Sequence, residues 1–471
     1  MRPLRFALAF CVLLALVAGV FAIVAWRPAI APIAPPAVNS FDPAMVKRGG
    51  QLAAIGDCDV CHTAPGGRVF AGGRAVPTPF GSIYSTNITP DPETGIGQWS
   101  QAAFQRALRL GVRRDGAYLY PAFPFDHFTL VSDDDDNALY AYLMTRAPVR
   151  APATPDKLPF PLNIRLMMFA WNSLFLHPGP YRADTTHDEA WNRGAYLADG
   201  LGHCGACHTP RNLLGAERAD LKFSGSEVEG WTAYALNELS PAPVPWNAAT
   251  LRHYLRYGTE EGHGVARGPM AEVVGDLHAI PADDMRAIAT YVAEQMNPAA
   301  PERDAAVQAV EMQRDRDASD MAASADSQSN ALRAVDTKND EGAVIYAGAC
   351  AGCHEGPRAL PFGGIDLMLT SAIGGPSANN LVNIVLYGLP AAEAAHAPIM
   401  PGFAGAMNDA QIAALARYLR ARFSDKSPWT DIVKSIHDAR NRGRAGTIAH
   451  PAVVEPAASG ALQQAHNEAQ R

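Results

Sequence analysis

Three stretches of this chain repeat apolar positions with the period of a helix, and each begins with a polar cap. They run over 132–144, 282–296 and 408–423. Each carries an aliphatic residue and a tyrosine three positions apart on its apolar side: Leu139 with Tyr142, Ile288 with Tyr291, and Leu415 with Tyr418. Upstream of each lies a shorter helical segment, 46–54, 191–198 and 341–347, containing Gly49 and Gly50, Gly194 or Gly342. A glycine there lets the first helix of a unit approach its last one closely. The pattern predicts an all-α chain of three tandem units, each opened by one helix and closed by another.

Other segments break that pattern. Residues 6–26 form an unbroken apolar run preceded by Arg2 and Arg5 and closed by Arg27 and Pro28. Its 21 residues can span a bilayer and exceed a typical cleaved signal core, so the sequence predicts an uncleaved transmembrane signal anchor over 1–27. The positive flank would stay inside, leaving the rest on the periplasmic face of a bacterial inner membrane. A removed signal peptide is the alternative. Cys11 lies within the run and reads as apolar filler. A Pro/Ala-rich tether covers 28–40, and 298–338 reads as a flexible linker. The chain after about His437 is expected to be extended. The run 160–177 is the most apolar soluble stretch, expected to staple units together or to form a membrane-proximal quinone pocket or subunit interface.

Composition narrows the classes. A hydrophobic fraction of 48% over 471 residues excludes a chain disordered throughout, and a mean hydropathy of -0.07 excludes a polytopic membrane protein. The net charge of -8 removes support for nucleic-acid binding. Four consecutive acids, Asp133 to Asp136, stand at a helix start, where the dipole favours them; a docking patch for a basic partner is the other reading.

Six of the seven cysteines form three Cys-x-x-Cys-His motifs: Cys58, Cys61 and His62; Cys204, Cys207 and His208; Cys350, Cys353 and His354. This is the attachment pattern of c-type haem, in which two thiols form thioethers to the vinyl groups and the adjoining imidazole takes the iron as proximal ligand. One copy could belong to a redox dithiol or half a zinc site, but three in an exported chain that leave no other cysteine outside the anchor favour haem. The motifs are separated by two equal steps of 146 residues (204 − 58 and 350 − 204). Each unit thus reads as a small cytochrome c-like domain, over 41–150, 187–297 and 339–426, with a connector at 151–186 and a C-terminal extension at 427–471.

A six-coordinate haem needs a distal ligand from the loop before the closing helix. Met270 in Gly-Pro-Met and Met400 in Pro-Ile-Met-Pro stand at that place in the second and third units. In the first unit Phe123 occupies it, and phenylalanine cannot ligate iron. His127, four residues on, is the nearest candidate; an open iron and Met144 are the alternatives. A His/His haem would have a lower potential than the His/Met haems, so electrons would enter there. His203 and His263 are expected to face propionates or solvent.

The runs RGGQLAAIGDCDVCHTAPGG, YSTNITPDPETGIGQWS, DGAYLYPAFPFDHFTLVSDDD, RGAYLADGLGHCGACHTPRN, GPMAEVV and APIMPGFAGAMND resemble the membrane-bound tri-haem cytochrome c subunits of periplasmic dehydrogenases, over about residues 40–425. In the alcohol dehydrogenase branch the first-unit run resembles Tyr-Pro-Ala-Met-Pro-Tyr. Here Phe123 stands in place of that methionine, and the Tyr-Pro-Ala-Phe-Pro-x-Asp-His-Phe form resembles the branch serving molybdenum-dependent aldehyde, nicotinate or isoquinoline dehydrogenases. The resemblance implies a catalytic dehydrogenase subunit and a small iron–sulfur subunit as electron donors. It implies ubiquinone or a terminal oxidase further down the respiratory chain as acceptor, and no substrate chemistry in this chain. A haem enzyme with an open first iron is the rival reading.

Overall fold

The structure is a computed structural model that describes residues 6, 12–13, 16, 19–297, 340–355, 364–389 and 399–444. The predicted linker at 298–338 and the chain beyond 444 lie outside them. So does most of the predicted anchor, whose described end at 19–25 is helical. Among the described residues no helix is long and apolar enough to cross a membrane.

The fold is largely helical, and the expected pairing of opening and closing helices occurs three times. The opening helices are Pro43–Ile55, Glu189–Ala195 (continued by a π-helical turn, Tyr196–Leu201) and Glu341–Ala349. The closing helices are Asp133–Met144, Ala282–Met296 and Asp409–Phe423. Ser132 caps the first of these by accepting from the Asp135 amide, and Asn408 and Gln411 form a capping box on the third. At each crossing the predicted glycine touches the partner backbone. A Cβ on Gly49, Gly194 or Gly342 would overlap the carbonyl oxygen of Ala138, Ala287 or Ala414. The same atom would come within 2.7, 2.8 and 2.7 Å of the Cβ of Tyr142, Tyr291 and Tyr418. The i, i+3 tyrosines therefore mark the same contact in every unit.

The first two units share more detail than the sequence pattern predicts. In each, a left-handed residue (Asp57, His203) precedes the cysteine motif, and a left-handed phenylalanine follows it (Phe70, Phe223), its amide donating to Thr63 or Thr209. A short antiparallel hairpin comes next, Ala75–Thr78 with Gly81–Tyr84 and Ser226–Val228 with Trp231–Ala233. These hairpins, and a third at Thr259–Glu260 with Gly264–Val265, are the small β component of the otherwise helical fold. They were missed because runs this short have no readable period.

Units one and two bury a common core that includes Leu52, Leu139, Leu201, Met285 and Ile288. A charged crossover sits over it. Arg48 and Arg193 each precede their crossing glycine, and each meets both Asp135 and Asp284 of the closing helices. Arg48 is 2.8 Å from Asp284 across the interface, as is Arg193 from Asp284 within its own unit, so the two units face each other about a pseudo-twofold axis. Asp133 pairs with Arg109, and the fully buried Asp136 lies 3.2 Å from the same arginine. Three of the four acids, Asp133, Asp135 and Asp136, thus engage arginines of this chain, while Asp134 stays exposed.

The third unit has its own core around Tyr346, Ile373, Leu386, Ile412 and Leu419. Its opening helix carries Glu341 where the other two have arginine. It meets the second unit through the hairpin instead: Asn380 accepts from the Thr232 amide at 2.8 Å and donates to its carbonyl at 2.9 Å. As far as Arg444 the chain after His437 is helical, not extended as expected; the rest of that tail lies outside the described residues. A helix, Ile432–Arg444, buries Ile432, Ile436 and Ala439 against this core, and Arg440 reaches the carbonyls of Ala404 and Met407.

Candidate haem attachment sites

Each motif forms a single helical turn, Cys58–His62, Cys204–His208 and, one residue later in register, Ala351–His354. A turn of this kind sets cysteines three apart on one side and carries the histidine round to the next position. All six cysteines are free. Burial pushes the thiols up, to about 12 for Cys61 and Cys204 and about 11 for Cys207 and Cys350. That is the reverse of a redox dithiol, which depends on a lowered thiol pKa. Cys61 and Cys353 are exposed and the other four partly buried, so the thiols stand protonated at the edge of each unit.

The histidines supply the clearest signature. His62 Nδ1 lies 2.6 Å from the Thr86 carbonyl, His208 Nδ1 2.6 Å from the Tyr234 carbonyl, and His354 Nδ1 3.0 Å from the Ile365 carbonyl. A carbonyl can only accept, so the proton sits on Nδ1 and Nε2 holds the lone pair. Metal-bound histidines are oriented in this way. Burial lowers the pKa of His62 and His208, which keeps both neutral. The donor set therefore fits haem iron in all three units. The carbonyl partners were not found from the sequence, because their offsets from the histidines of 24, 26 and 11 residues follow no pattern.

Met270 is the second residue of the helix Pro269–Leu277, which begins directly after Gly268, whose positive φ turns the chain against the Trp231 ring. Met400 lies in an antiparallel bridge with Leu389, the two amides and carbonyls pairing at 2.8 and 3.0 Å. Both methionine side chains are half-buried against the core of their own unit.

His127 goes elsewhere. The short helix Phe125–Phe128 turns Phe125 into the interior and directs His127 across the interface to the second unit. There Nδ1 lies 2.7 Å from the Asp199 carbonyl and Nε2 2.6 Å from Glu217. Its ring packs on Gly205 of the second attachment turn. Burial alone would lower its pKa, but the Glu217 carboxylate outweighs burial and raises it to about 9. Both nitrogens are occupied, so the structure does not support His127 as an iron ligand in the first unit. Phe123 packs edge-on against Phe128 at 5.2 Å, and Met144 is buried in the closing helix. Of the remaining histidines, His263 stacks on Trp246 at 3.4 Å and His203 leans on Phe128.

The first and second motifs lie close together, and Cys207 is near enough to Cys61 to contribute to its raised pKa. Arg74 ties this region across the interface, donating to the Val60 carbonyl beside Cys61 and, through both terminal nitrogens, to Glu272 beside Met270.

Comparison with known proteins agrees with this chemistry. Residues 337–419 match the family model described as cytochrome c oxidase, cbb3-type, subunit III. The chain is 45% identical over 422 residues to a nicotinate dehydrogenase subunit of Pseudomonas putida, an alignment covering 88% of this chain and 33% of that longer protein. It is 36% identical over 423 residues to the fructose dehydrogenase cytochrome subunit of Gluconobacter japonicus, covering 87% of this chain and 86% of the relative. With the gluconate 2-dehydrogenase cytochrome c subunit of Pantoea cypripedii it shares 37% identity over 414 residues, 84% of this chain and 90% of the relative. Shared attachment chemistry and near full-length likeness lead to one conclusion: the chain belongs to the family of dehydrogenase cytochrome c subunits, electron-transfer proteins that carry covalently bound haem c.

Proposed function

We propose that this chain is a tri-haem electron-transfer subunit that takes electrons from a catalytic dehydrogenase subunit and delivers them to ubiquinone or the respiratory chain. The haems are held at Cys58 and Cys61, Cys204 and Cys207, and Cys350 and Cys353. His62, His208 and His354 are proximal ligands, and Met270 and Met400 complete the second and third irons. The observation that carries this reading is the threefold Nδ1-to-carbonyl orientation of the motif histidines. Residues 6–26 anchor the chain in the inner membrane, with the haem domains in the periplasm.

The upstream partner in this reading is a molybdenum-dependent dehydrogenase of aldehydes or N-heterocycles, with a small iron–sulfur subunit as relay. The likeness to the nicotinate dehydrogenase subunit and the Phe123 run support it. Purification in mild detergent, with metal and cofactor assay of the co-purifying subunit, tests it. Molybdenum and haem reduction on adding an aldehyde or N-heterocycle are expected; pyrroloquinoline quinone or flavin in its place would overturn the assignment.

The engagement of His127 favours one further reading, that the first iron keeps an open position. Carbon monoxide should then bind the reduced protein at one haem, and absence of binding would show a sixth ligand from elsewhere.

A further inference from the structure

The connector between the first two units has two apolar faces, and only one of them is used inside the protein. Its helix, Met168–Phe175, sends Met168, Trp171 and Phe175 inward at i, i+3 and i+7, against Phe125 and Ala216. Met167 and Leu174, one heptad apart, lie to one side of that inward stripe and are 39% and 63% exposed. Phe160, upstream in the connector, is 80% exposed. The face continues into both units. Trp171 Nε1 donates to the Leu214 carbonyl at 3.1 Å, which brings in Leu213, 96% exposed, and Leu214. Asn172 donates to the Leu110 carbonyl at 3.1 Å, which brings in Leu110 from the first unit. Three separate parts of the chain thus carry exposed large apolar side chains around this one helix, a grouping that single scattered residues would not give.

What meets this surface is indicated by the chain that leaves from it. The apolar run 6–26 ends here: Phe21 packs edge-on to Phe169 at 5.6 Å, and the buried Ala25 accepts a hydrogen bond from Tyr118 at 2.9 Å. Arg27 follows at once, its guanidinium over the rings of Phe169 and Tyr118 at 5.5 and 5.9 Å. It pairs with no carboxylate among the described residues, and so offers an unneutralised cation at the point where the apolar chain stops. An arginine so placed suits the phosphate level of a bilayer.

We propose that this face is a second membrane contact, lying flat on the lipid surface beside the anchor. Leu174, Leu213, Leu214 and Phe160 enter the acyl boundary, and Arg27 meets anionic headgroups. The loop after His208 carries Leu213 and Leu214, so the second attachment motif is held within one loop of the lipid. The proposal rests on the reading of 6–26 as a membrane anchor, and the test separates the two.

The full haem-loaded chain, with Cys11→Ala, is spin-labelled singly through Leu213→Cys, Leu174→Cys, Val12→Cys or Lys434→Cys. Each sample is placed in vesicles containing phosphatidylglycerol. Collision of the label with oxygen, which partitions into lipid, is compared with collision with a water-soluble nickel chelate. Labels at 213 and 174 should favour oxygen severalfold over the label at 434, on the exposed helix of the third unit. If 213 and 174 match 434 while 12 reads as lipid, the anchor stands and the second contact is overturned. Shielding of 213 and 174 from both reagents would mean that protein, a second copy or a partner subunit, covers the face, and overturns it equally. A label at 12 that reads as water removes the anchor, and the face is then judged on 213 and 174 alone.

Discussion

His127 shows how a residue of the right type at nearly the right spacing can serve a different purpose. In the sequence it is the only histidine near the first unit's distal position. In the structure it is a half-buried imidazole paired with Glu217 and a carbonyl across the interface. The pairing carries a sign that can be tested. Its pKa is raised from about 6.5 to about 9, so its contribution to the interface is complete below pH ~6.5 and lost as pH rises through about 9. Thermal stability of the haem-loaded protein should therefore fall between those values, and His127→Gln should flatten that part of the profile. A retained slope in the variant would show that another group titrates there. Asp284 has the opposite sign. Burial would raise its pKa, but hydrogen bonds from Arg193 and Arg48 prevail and hold it below the usual carboxylate range. Its contribution is present above pH ~4 and lost on acidification. Asp284→Asn should cost about 2 kcal/mol at neutral pH, read from denaturant unfolding, and less at acid pH.

At the level of elements, the crossing of opening and closing helices was legible because a glycine and an i, i+3 tyrosine coincide at fixed places in every unit; the expected polar cap is found on the first and third closing helices, whereas the second starts after Pro281 without one. The Arg48–Asp284 crossover was legible in principle too. Arg48 and Arg193 stand one residue before their glycines, and Asp135 and Asp284 stand seven before Tyr142 and Tyr291; Glu341 and Gln411 fill the same places in the third unit. What could not be read was that the matching pairs would cross between units, since periodicity within an element says nothing about which element faces it. The hairpins and the carbonyl partners of the motif histidines were hidden for a similar reason: they lie in loops whose course is set by tertiary packing around the haem site. Gly194→Ala tests the crossing. Its Cβ would overlap the Ala287 carbonyl, so the helices must separate, at a cost of at least about 1–3 kcal/mol in thermal unfolding. Gly275→Ala, with open space around it on a helix, should be neutral or slightly stabilising.

The whole molecule divides unevenly. Units one and two share a core and a charged crossover, whereas unit three keeps its own core and is joined by hydrogen bonds to one hairpin, by Arg442 at Gly230 and by Arg267 at the Gly388 carbonyl. Cleavage within 298–338 should therefore leave units one and two folded together with two haems. Loss of their thermal transition on cleavage would show that the third unit holds them up. The equal 146-residue steps made the spacing of the three cysteine motifs readable from sequence alone, but not this pairing, which depends on which surfaces are complementary. The central claim is that all three motifs carry covalent haem. Intact mass measurement of the denatured full chain tests it most directly, because thioether-bound haem survives unfolding and bound haem without such links does not. The account predicts a mass equal to the polypeptide plus three haems, reduced by one haem in each of Cys58→Ser/Cys61→Ser, Cys204→Ser/Cys207→Ser and Cys350→Ser/Cys353→Ser. A native-chain mass with fewer than three, or one unchanged by any of these double substitutions, would contradict it.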